Sequence, residues 1–453
     1  MLQRVTAFFI GILTFFSSLV GISFQHREDT KTGVYVSEYA SPGGNEKTDE
    51  LKTLYAAVRE HTPAVTPCPE KDPFPEDGRV KAIRYESEEC MGQPARVFAY
   101  IGFPENASAE APVPGMVLVH GGGGHAYAEW VQFWVDRGYA AISMDGFGQS
   151  YTGPDGTYVD MYTVDPGYWQ VDPASHLAMD NFTTKDRPLT EQWFYYYIAD
   201  ILLANNILRA DDRVITEQIG LTGISWGGFA SSVAACYDDR FAFAAPVYGS
   251  GFQDVSRTVW GAVFRGEGVS DVWDAELLLN ETAMPIHWFN GDNDPFFAAE
   301  STAASAAAAP NGAVTFIPSY PHGMGQGMEL PELLRFVDER NGLGPGNIRI
   351  DGVSFDGDRA ILSFTLPEDV SSPAVRVFYR SGPLEYEDGE LTEPWQSKQG
   401  VVLGDRANVR VPADAAMFYV AIEGKTGKLF DRQTVRATTG IYSADVLTRS
   451  DIC

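Results

Sequence analysis

Ile219-Gly220-Leu221-Thr222-Gly223-Ile224-Ser225-Trp226-Gly227-Gly228, followed by Phe229-Ala230-Ser231-Ser232-Val233-Ala234-Ala235, is the stretch that decides the fold. Ile219 to Thr222 reads as a buried strand and Phe229 to Ala235 as unbroken helix. Between them Gly223 to Gly227 matches G-x-S-x-G. The pattern alone is weak evidence. A strand before it and a helix after it make it a sharp elbow, in which glycines permit the turn and the Ser225 hydroxyl is held exposed and strained. Gly352-Val353-Ser354-Phe355-Asp356 begins the same way but lacks the fifth-position glycine and opens a β-strand. It is set aside.

Outward from the elbow, apolar runs alternate with longer helical patterns. Met116-Val117-Leu118-Val119 has no polar alternation, the mark of a parallel strand covered on both faces. Ala140 to Met144 is a similar run after a helical stretch carrying Trp130, Phe133 and Trp134, and Pro285 to Phe289 and Val314 to Ile317 continue the rhythm. Residues 79–342 therefore predict a doubly wound, mostly parallel α/β sheet, with insertions at 150–188 and 251–279. Beyond Gly342-Leu343-Gly344-Pro345-Gly346 come short β-rich runs at regular spacing, from Ile348 to Ile422. They predict a small C-terminal β-sandwich of immunoglobulin-like or fibronectin-like type over 347–440, with a tail at 441–453. The glycine-rich junction predicts a sandwich that folds by itself and makes few contacts across the boundary. Residues 24–78 are polar and proline-rich, including Thr66-Pro67-Cys68-Pro69 and Asp72-Pro73-Phe74-Pro75, and read as an arm.

The 453 residues carry 61 Asp and Glu against 33 Lys and Arg, a formal charge of −28 that repels phosphate backbones and argues against nucleic-acid binding. With 44% hydrophobic and 21% charged residues the chain has the composition of a folded protein with a sizeable core. The apolar run Val5 to Phe24 behind Arg4 reads as a signal peptide cut before Phe24, or as an uncleaved anchor, either of which places the body outside the cytoplasm. A membrane partner enters only in the uncleaved case. Of the four cysteines, Cys68 and Cys90 are placed to form a disulfide and Cys236 reads as a small core residue. None has zinc-site spacing, and neither a metal nor a cofactor is expected.

Two further motifs converge on Ser225. His120-Gly121-Gly122-Gly123-Gly124-His125 follows the strand Met116 to Val119 directly. Consecutive glycines let backbone N–H groups approach a ligand, so this loop, with the N–H of Trp226, predicts an oxyanion hole whose donors lie among Gly122, Gly123 and Gly124. The base follows from counting. In an elbow fold of this kind the acid and then the histidine come after the serine. Only two of the seven histidines do, His287 and His322. His287 sits inside an apolar strand, whereas His322 lies in a loop, Pro321-His322-Gly323, before an amphipathic helix. His322 is the expected base. Two acids compete to orient it in Gly291-Asp292-Asn293-Asp294-Pro295. Asp292 opens the turn and suits a turn-former or a support for its neighbour, whereas Pro295 biases Asp294 to an extended backbone that can project its side chain.

These motifs, in this order over residues 79–342, resemble the acetylxylan-esterase-like and prolyl-oligopeptidase-like branch of the α/β-hydrolases. The family spacing also points to Asp294. The resemblance implies an α/β-hydrolase fold and hydrolysis of an ester or amide through an acyl-enzyme. Peptidases of that branch carry a large N-terminal β-propeller, for which about 55 residues are too few, and this favours an esterase over an exopeptidase or amidase. A non-catalytic binding protein on the same scaffold is the alternative from another class. For the substrate, a small-molecule or carbohydrate ester, the candidate contacts are His125 at the end of the glycine loop and Trp169, Trp260 and Arg265 in the insertions. Those rings either stack on sugar or fill the insertions' own core.

Overall fold

The elbow stretch lies at the centre of a nine-stranded sheet. A computed structural model describes residues 40–448, apart from 75, 148, 151–169, 172–181, 388–389 and 428–431. The N-terminal apolar segment, most of the first insertion with Trp169, and Cys453 fall outside the described residues. The strands are β1 (Val65–Pro67), β2 (Val80–Glu86), β3 (Arg96–Gly102), β4 (Val113–Val119), β5 (Ala140–Met144), β8 (Val214–Ile224), β9 (Phe243–Val247), β10 (Ile286–Gly291) and β11 (Gly312–Ile317). The two-residue strands β6 (Gln149–Ser150) and β7 (Gln170–Val171) pair apart from them. The sheet order is β1-β2-β3-β5-β4-β8-β9-β10-β11. From β5 to β11 all neighbours are parallel, while β1, β2, β3 and β5 pair antiparallel.

Strands β4, β5 and β9 are buried along their whole length, as strands covered on both faces must be. Register brings the carboxyl ends together: Val119 pairs with Gly223, Ile224 with Val247, and Gly291 with Ile317. The loops that follow β4, β8, β10 and β11 therefore share one edge, where sites form in open α/β sheets.

From residue 40 onward, the stretch read as an arm packs on this domain. Helix α1 (Glu46–Arg59) starts on a capping box in which the Asn45 side chain accepts from Thr48 N and Thr48 Oγ1 accepts from Asn45 N. Leu51, Tyr55 and Val58 recur at helical spacing on its buried side. Tyr55 stacks on Tyr195 of helix α2 (Trp193–Ala210), with ring centroids 5.3 Å apart. Pro67 sits in edge strand β1, where a proline costs no ladder bond. The expected Cys68–Cys90 disulfide is absent, and both thiols are free. Cys68 is buried behind β1 with Arg84 donating to its sulfur (3.5 Å), whereas Cys90 closes a tight turn with Gln93.

The C-terminal region is a two-sheet sandwich. One sheet runs β12 (Arg349–Asp356), β13 (Arg359–Thr365), β19 (Arg406–Arg410), β18 (Val401–Leu403). The other runs β17 (Gln396–Gln399), β14 (Ser371–Arg380), β20 (Met417–Thr426), β21 (Gln433–Thr438). A short ribbon of β15 (Tyr386–Glu387) and β16 (Glu390–Leu391) stands apart. Leu362 and Phe364 of β13, Val375 and Val377 of β14 and Phe418, Val420 and Ile422 of β20 fill the space between the sheets.

The expectation of few contacts across the boundary does not hold. Strand β20 is buried from Met417 to Ile422, so its outward-facing residues are covered as well. On that face Tyr419 stacks on Phe378 at 4.8 Å and meets Phe316 of β11 at 5.3 Å. Phe316 N donates to Thr438 Oγ1 (3.0 Å), and Arg436 pairs with the buried Glu332 at 3.2 Å. The glycine-rich junction is a turn, but the sandwich beyond it docks as a structural partner. Among the described residues no helix is long and apolar enough to cross a membrane.

Candidate active site

Ser225 sits where β8 turns into helix α3 (Trp226–Tyr237), with φ 60° and ψ −120°. A non-glycine residue there is strained by about 1–3 kcal/mol and persists only when its surroundings fix it. Ser225 N donates to Val247 O (2.8 Å), and Ser225 O accepts from Phe229 N (2.9 Å). The flanking glycines permit close approach. A Cβ on Gly223 would lie 2.1 Å from Gly227 O, and one on Gly227 would lie 2.0 Å from Val119 O. Strand, helix and β4 thus pack too tightly for any side chain at either position.

His322 faces the serine from the loop after β11. Ser225 Oγ stands 2.8 Å from His322 Nε2, and His322 Nδ1 stands 2.6 Å from Asp294 Oδ2. A carboxylate only accepts, so Nδ1 carries the proton and Nε2 is left to accept from the serine hydroxyl. Asp294 is fully buried, and its other oxygen accepts from Phe296 N (2.9 Å) and Phe297 N (2.8 Å). The imidazole packs between Tyr248 and Phe296, each 4.7 Å away by ring centroid. Ser225, His322 and Asp294, read from order and spacing, come together as one hydrogen-bonded array.

Of the two parts expected for Asp292, local turn-former or support behind the orienting acid, the structure shows the second. Its Oδ1 accepts from Ser319 N (2.8 Å), in the loop that carries His322, and its Oδ2 accepts from Tyr419 OH (2.8 Å) on the sandwich. Burial pushes its carboxyl up, and these hydrogen bonds pull the other way. The N–H it satisfies lies 27 residues away, on the loop of the neighbouring strand.

The glycine loop lies over Ser225: a Cβ on Gly121 would stand 3.1 Å from Ser225 Cβ. Gly124 N donates to Gly121 O (3.0 Å), which commits that N–H within the loop and leaves Gly122 and Gly123 as the loop's candidate donors. Trp226 supplies a third, because the first N–H of a helix has no partner inside it. His120 has a role that sequence reasoning did not assign. Gly146 N donates to its Nε2 (3.0 Å), so Nδ1 carries the proton and donates to Gly121 O (2.8 Å). The fully buried ring fixes the loop from beneath, and the only sequence cue is its place at the end of a buried strand.

The predicted substrate contacts fare unevenly. His125 is buried, held at about 4 by that burial, with its ring 4.3 Å from Tyr127 and Nδ1 bonded to Ala126 O. Trp260, on helix α4 (Val259–Glu267), is 6% exposed and packs 4.7 Å from the Trp226 ring. Arg265 donates to the carbonyls of Ser256 and Asp254 within its own insertion. Trp260 therefore packs on the elbow helix through Trp226, and Arg265 clasps its own insertion. Trp169 lies outside the described residues. His287, set aside from the sequence, is in the core, stacked 4.3 Å from Phe289 with Nε2 2.8 Å from Thr315 Oγ1.

The chain is similar in fold to acetyl xylan esterase 1 from Thermoanaerobacterium sp. JW/SL YS485, at 16% identity and a TM-score of 0.51, over 67% of this chain and 97% of that one. An acetyl xylan esterase from Paenibacillus sp. R4 matches at 16% identity, 67% and 98% coverage and a TM-score of 0.49. An acylaminoacyl peptidase from Pyrococcus horikoshii matches at 16% identity, 61% and 43% coverage and a TM-score of 0.43. A comparison with curated proteins finds no match. The model of the dienelactone hydrolase family matches residues 97–324, half of the chain, which includes the glycine loop, the elbow and both loops of the acid and base. The chain belongs to the dienelactone hydrolase family, within the α/β-hydrolase superfamily.

Proposed function

We propose that this protein is a serine hydrolase that cleaves carboxylic esters through an acyl-enzyme on Ser225. The observation that carries the reading is the unbroken path from Ser225 Oγ through His322 to Asp294, at 2.8 Å and 2.6 Å, beneath a glycine loop. His322 Nε2 takes the hydroxyl proton as Ser225 Oγ attacks the acyl carbon, and Asp294 stabilises the imidazolium that forms. The N–H groups of Trp226 and of Gly122 or Gly123 receive the oxyanion, each good donor contributing about 3–4 kcal/mol. His322 then gives its proton to the leaving alcohol. Water attacks the acyl-enzyme by the same route, releasing the acid and restoring the serine. Trp226, Phe229, Trp260 and Phe264 pack around the elbow and supply an apolar wall. An apolar wall suits a neutral acyl group, and acyl groups on carbohydrate are the substrate class we favour. The N-terminal apolar segment supports a site of action outside the cytoplasm.

The test is Ser225→Ala. The variant should lose turnover of a short-chain aryl ester by about 10⁵-fold or more and lose all labelling by a fluorophosphonate probe, with an unchanged melting temperature. Persistent labelling would place the nucleophile elsewhere.

A further inference from the structure

Among the described residues, the docked sandwich hydrogen-bonds to the acid–base loops through Asp292. Strands β10 and β11 end side by side, Gly291 opposite Ile317, so the two loops leave the sheet together. Asp292 N donates to Ile317 O (3.3 Å) and Asp292 Oδ1 holds Ser319 N at 2.8 Å. Ser319 has a φ of 51°, a left-handed conformation that a serine keeps only under constraint. Asp294 follows Asp292 by two residues and His322 follows Ser319 by three. The Asp292 carboxylate therefore sets the separation of the two loops on which the 2.6 Å contact between His322 and Asp294 depends.

Asp292 is itself gripped by the sandwich. Tyr419 OH donates to Oδ2 (2.8 Å), and Trp395 Nε1 donates to the main-chain oxygen (2.8 Å). Tyr419 is fully buried and Asp292 is 2% exposed, so the hydroxyl–carboxylate bond does not compete with bulk water, and the Trp395 bond is half-buried. The donors are stiff. Tyr419 lies against Phe378 at 4.8 Å, Trp395 at 5.1 Å and Phe316 at 5.3 Å.

We infer that Tyr419 and Trp395 are positioning residues for the site. Acting through Asp292, the C-terminal sandwich holds the Asp294 and His322 loops at the spacing that proton transfer from Ser225 requires. The inference rests on the serine-hydrolase reading above. Misplacing a general base by a fraction of an ångström slows the step that needs it and leaves ground-state binding nearly untouched. Without Tyr419 OH the buried carboxylate would keep only its bond to Ser319 N, and without Trp395 the main-chain oxygen of Asp292 would lose its indole donor, so the residue would shift to find others.

Tyr419→Phe in the full-length protein tests this, because the ring packing is kept and only the hydroxyl is lost. The readouts are the maximal rate of Ser225 modification at saturating fluorophosphonate, the half-saturating probe concentration and the labelled fraction at completion. The maximal rate should fall about tenfold, with half-saturation within about twofold and one label per chain still reached. Trp395→Phe should act in the same direction. In an Asp292→Ala background, Tyr419→Phe should add less than about twofold, because its route to the site is gone. An unchanged maximal rate in Tyr419→Phe overturns the inference even if its melting temperature falls. Full additivity with Asp292→Ala overturns it as well. A wild-type protein that does not label would instead sink the hydrolase reading itself.

Discussion

The two halves of the candidate site are held in place by different means. The nucleophile half, the loops after β4 and β8, is fixed by backbone close to it in sequence or in the sheet. Ser225 N is bonded to Val247 O, and Gly223 and Gly227 allow strand and helix to touch. The acid–base half, the loops after β10 and β11, leans on side chains from another domain. Tyr419 OH is 127 residues from the Asp292 carboxylate it holds. Rigidity built from glycines and ladder bonds is a property of a local motif. Rigidity borrowed from a docked sheet is a property of the whole chain, open to change by substitutions far from the chemistry.

If that contrast is right, the halves should fail differently. The larger loss is expected in the acid–base half, at Asp294→Asn. An amide cannot stabilise the imidazolium, and its NH₂ favours the wrong tautomer of His322, so kcat should fall about 10³–10⁴-fold. The amide oxygen can still accept from Phe296 N and Phe297 N, so the loop and the melting temperature should survive. A loss of less than about tenfold would give the acid role to another carboxylate.

In the nucleophile half, Gly122→Ala should cost less. The added Cβ would stand 2.6 Å from Trp226 Cδ1. Trp226 is 2% exposed and packed against Trp260 and Phe229, so the ring cannot give way and the loop must. Displacing one oxyanion donor predicts a drop of about 10²-fold in kcat with little change in KM. A normal rate in Gly122→Ala would mean that the donors lie outside this loop.

The same contrast explains what could be read from the sequence. Ser225, His322 and Asp294 were legible because each follows a buried strand and carries a local signature of glycine or proline. Strands β4 and β5 were legible as unbroken apolar runs. Strand β9 was not, because Phe243-Ala244-Ala245-Pro246-Val247 is short and its proline argues against a central strand. Helix α1 was hidden behind the proline clusters that follow it, although Asn45-x-x-Thr48 and the Leu51, Tyr55, Val58 spacing mark it. The docking of the sandwich had one cue. Met417 to Ile422 lacks the polar alternation of a strand with one wet face, so both faces had to be covered. Which residue Tyr419 meets there is a tertiary fact with no local trace. For Trp260 and Arg265 the sequence leaves the role open, because aromatic and cationic residues in an insertion look the same whether they face a ligand or brace the fold.

The smallest effect on rate should come from a residue that lies beneath the acid loop without touching the site. His287 on β10 is half-buried against Phe289 and Phe336, and that loss of solvent holds it at about 3, far below the ordinary histidine value of about 6.5. Between those values the unfolded chain binds a proton that the folded chain refuses. Stability from this group is thus fully present above about pH 6.5 and is lost as pH falls, by roughly 2 kcal/mol at pH 5. Glu300 and Asp274, both pushed up to about 7 by burial, act in the opposite sense, since the folded chain takes their protons first as pH falls. They are unchanged in His287→Gln, so comparing the two proteins isolates the histidine. The glutamine can keep a hydrogen bond to Thr315 Oγ1 and never charges. Measured by denaturant unfolding at pH 7.5 and pH 5, the stability difference between wild type and variant should move in the variant's favour by about 2 kcal/mol at the lower pH. The rate of Ser225 labelling at pH 7.5 should match wild type within about twofold. A gap in stability that does not change with pH would mean that His287 takes up its proton in the folded protein as readily as in the unfolded one. A large rate loss at unchanged stability would mean instead that the strand beneath Asp294 transmits to the site as the sandwich does, and the division between the two halves would fail.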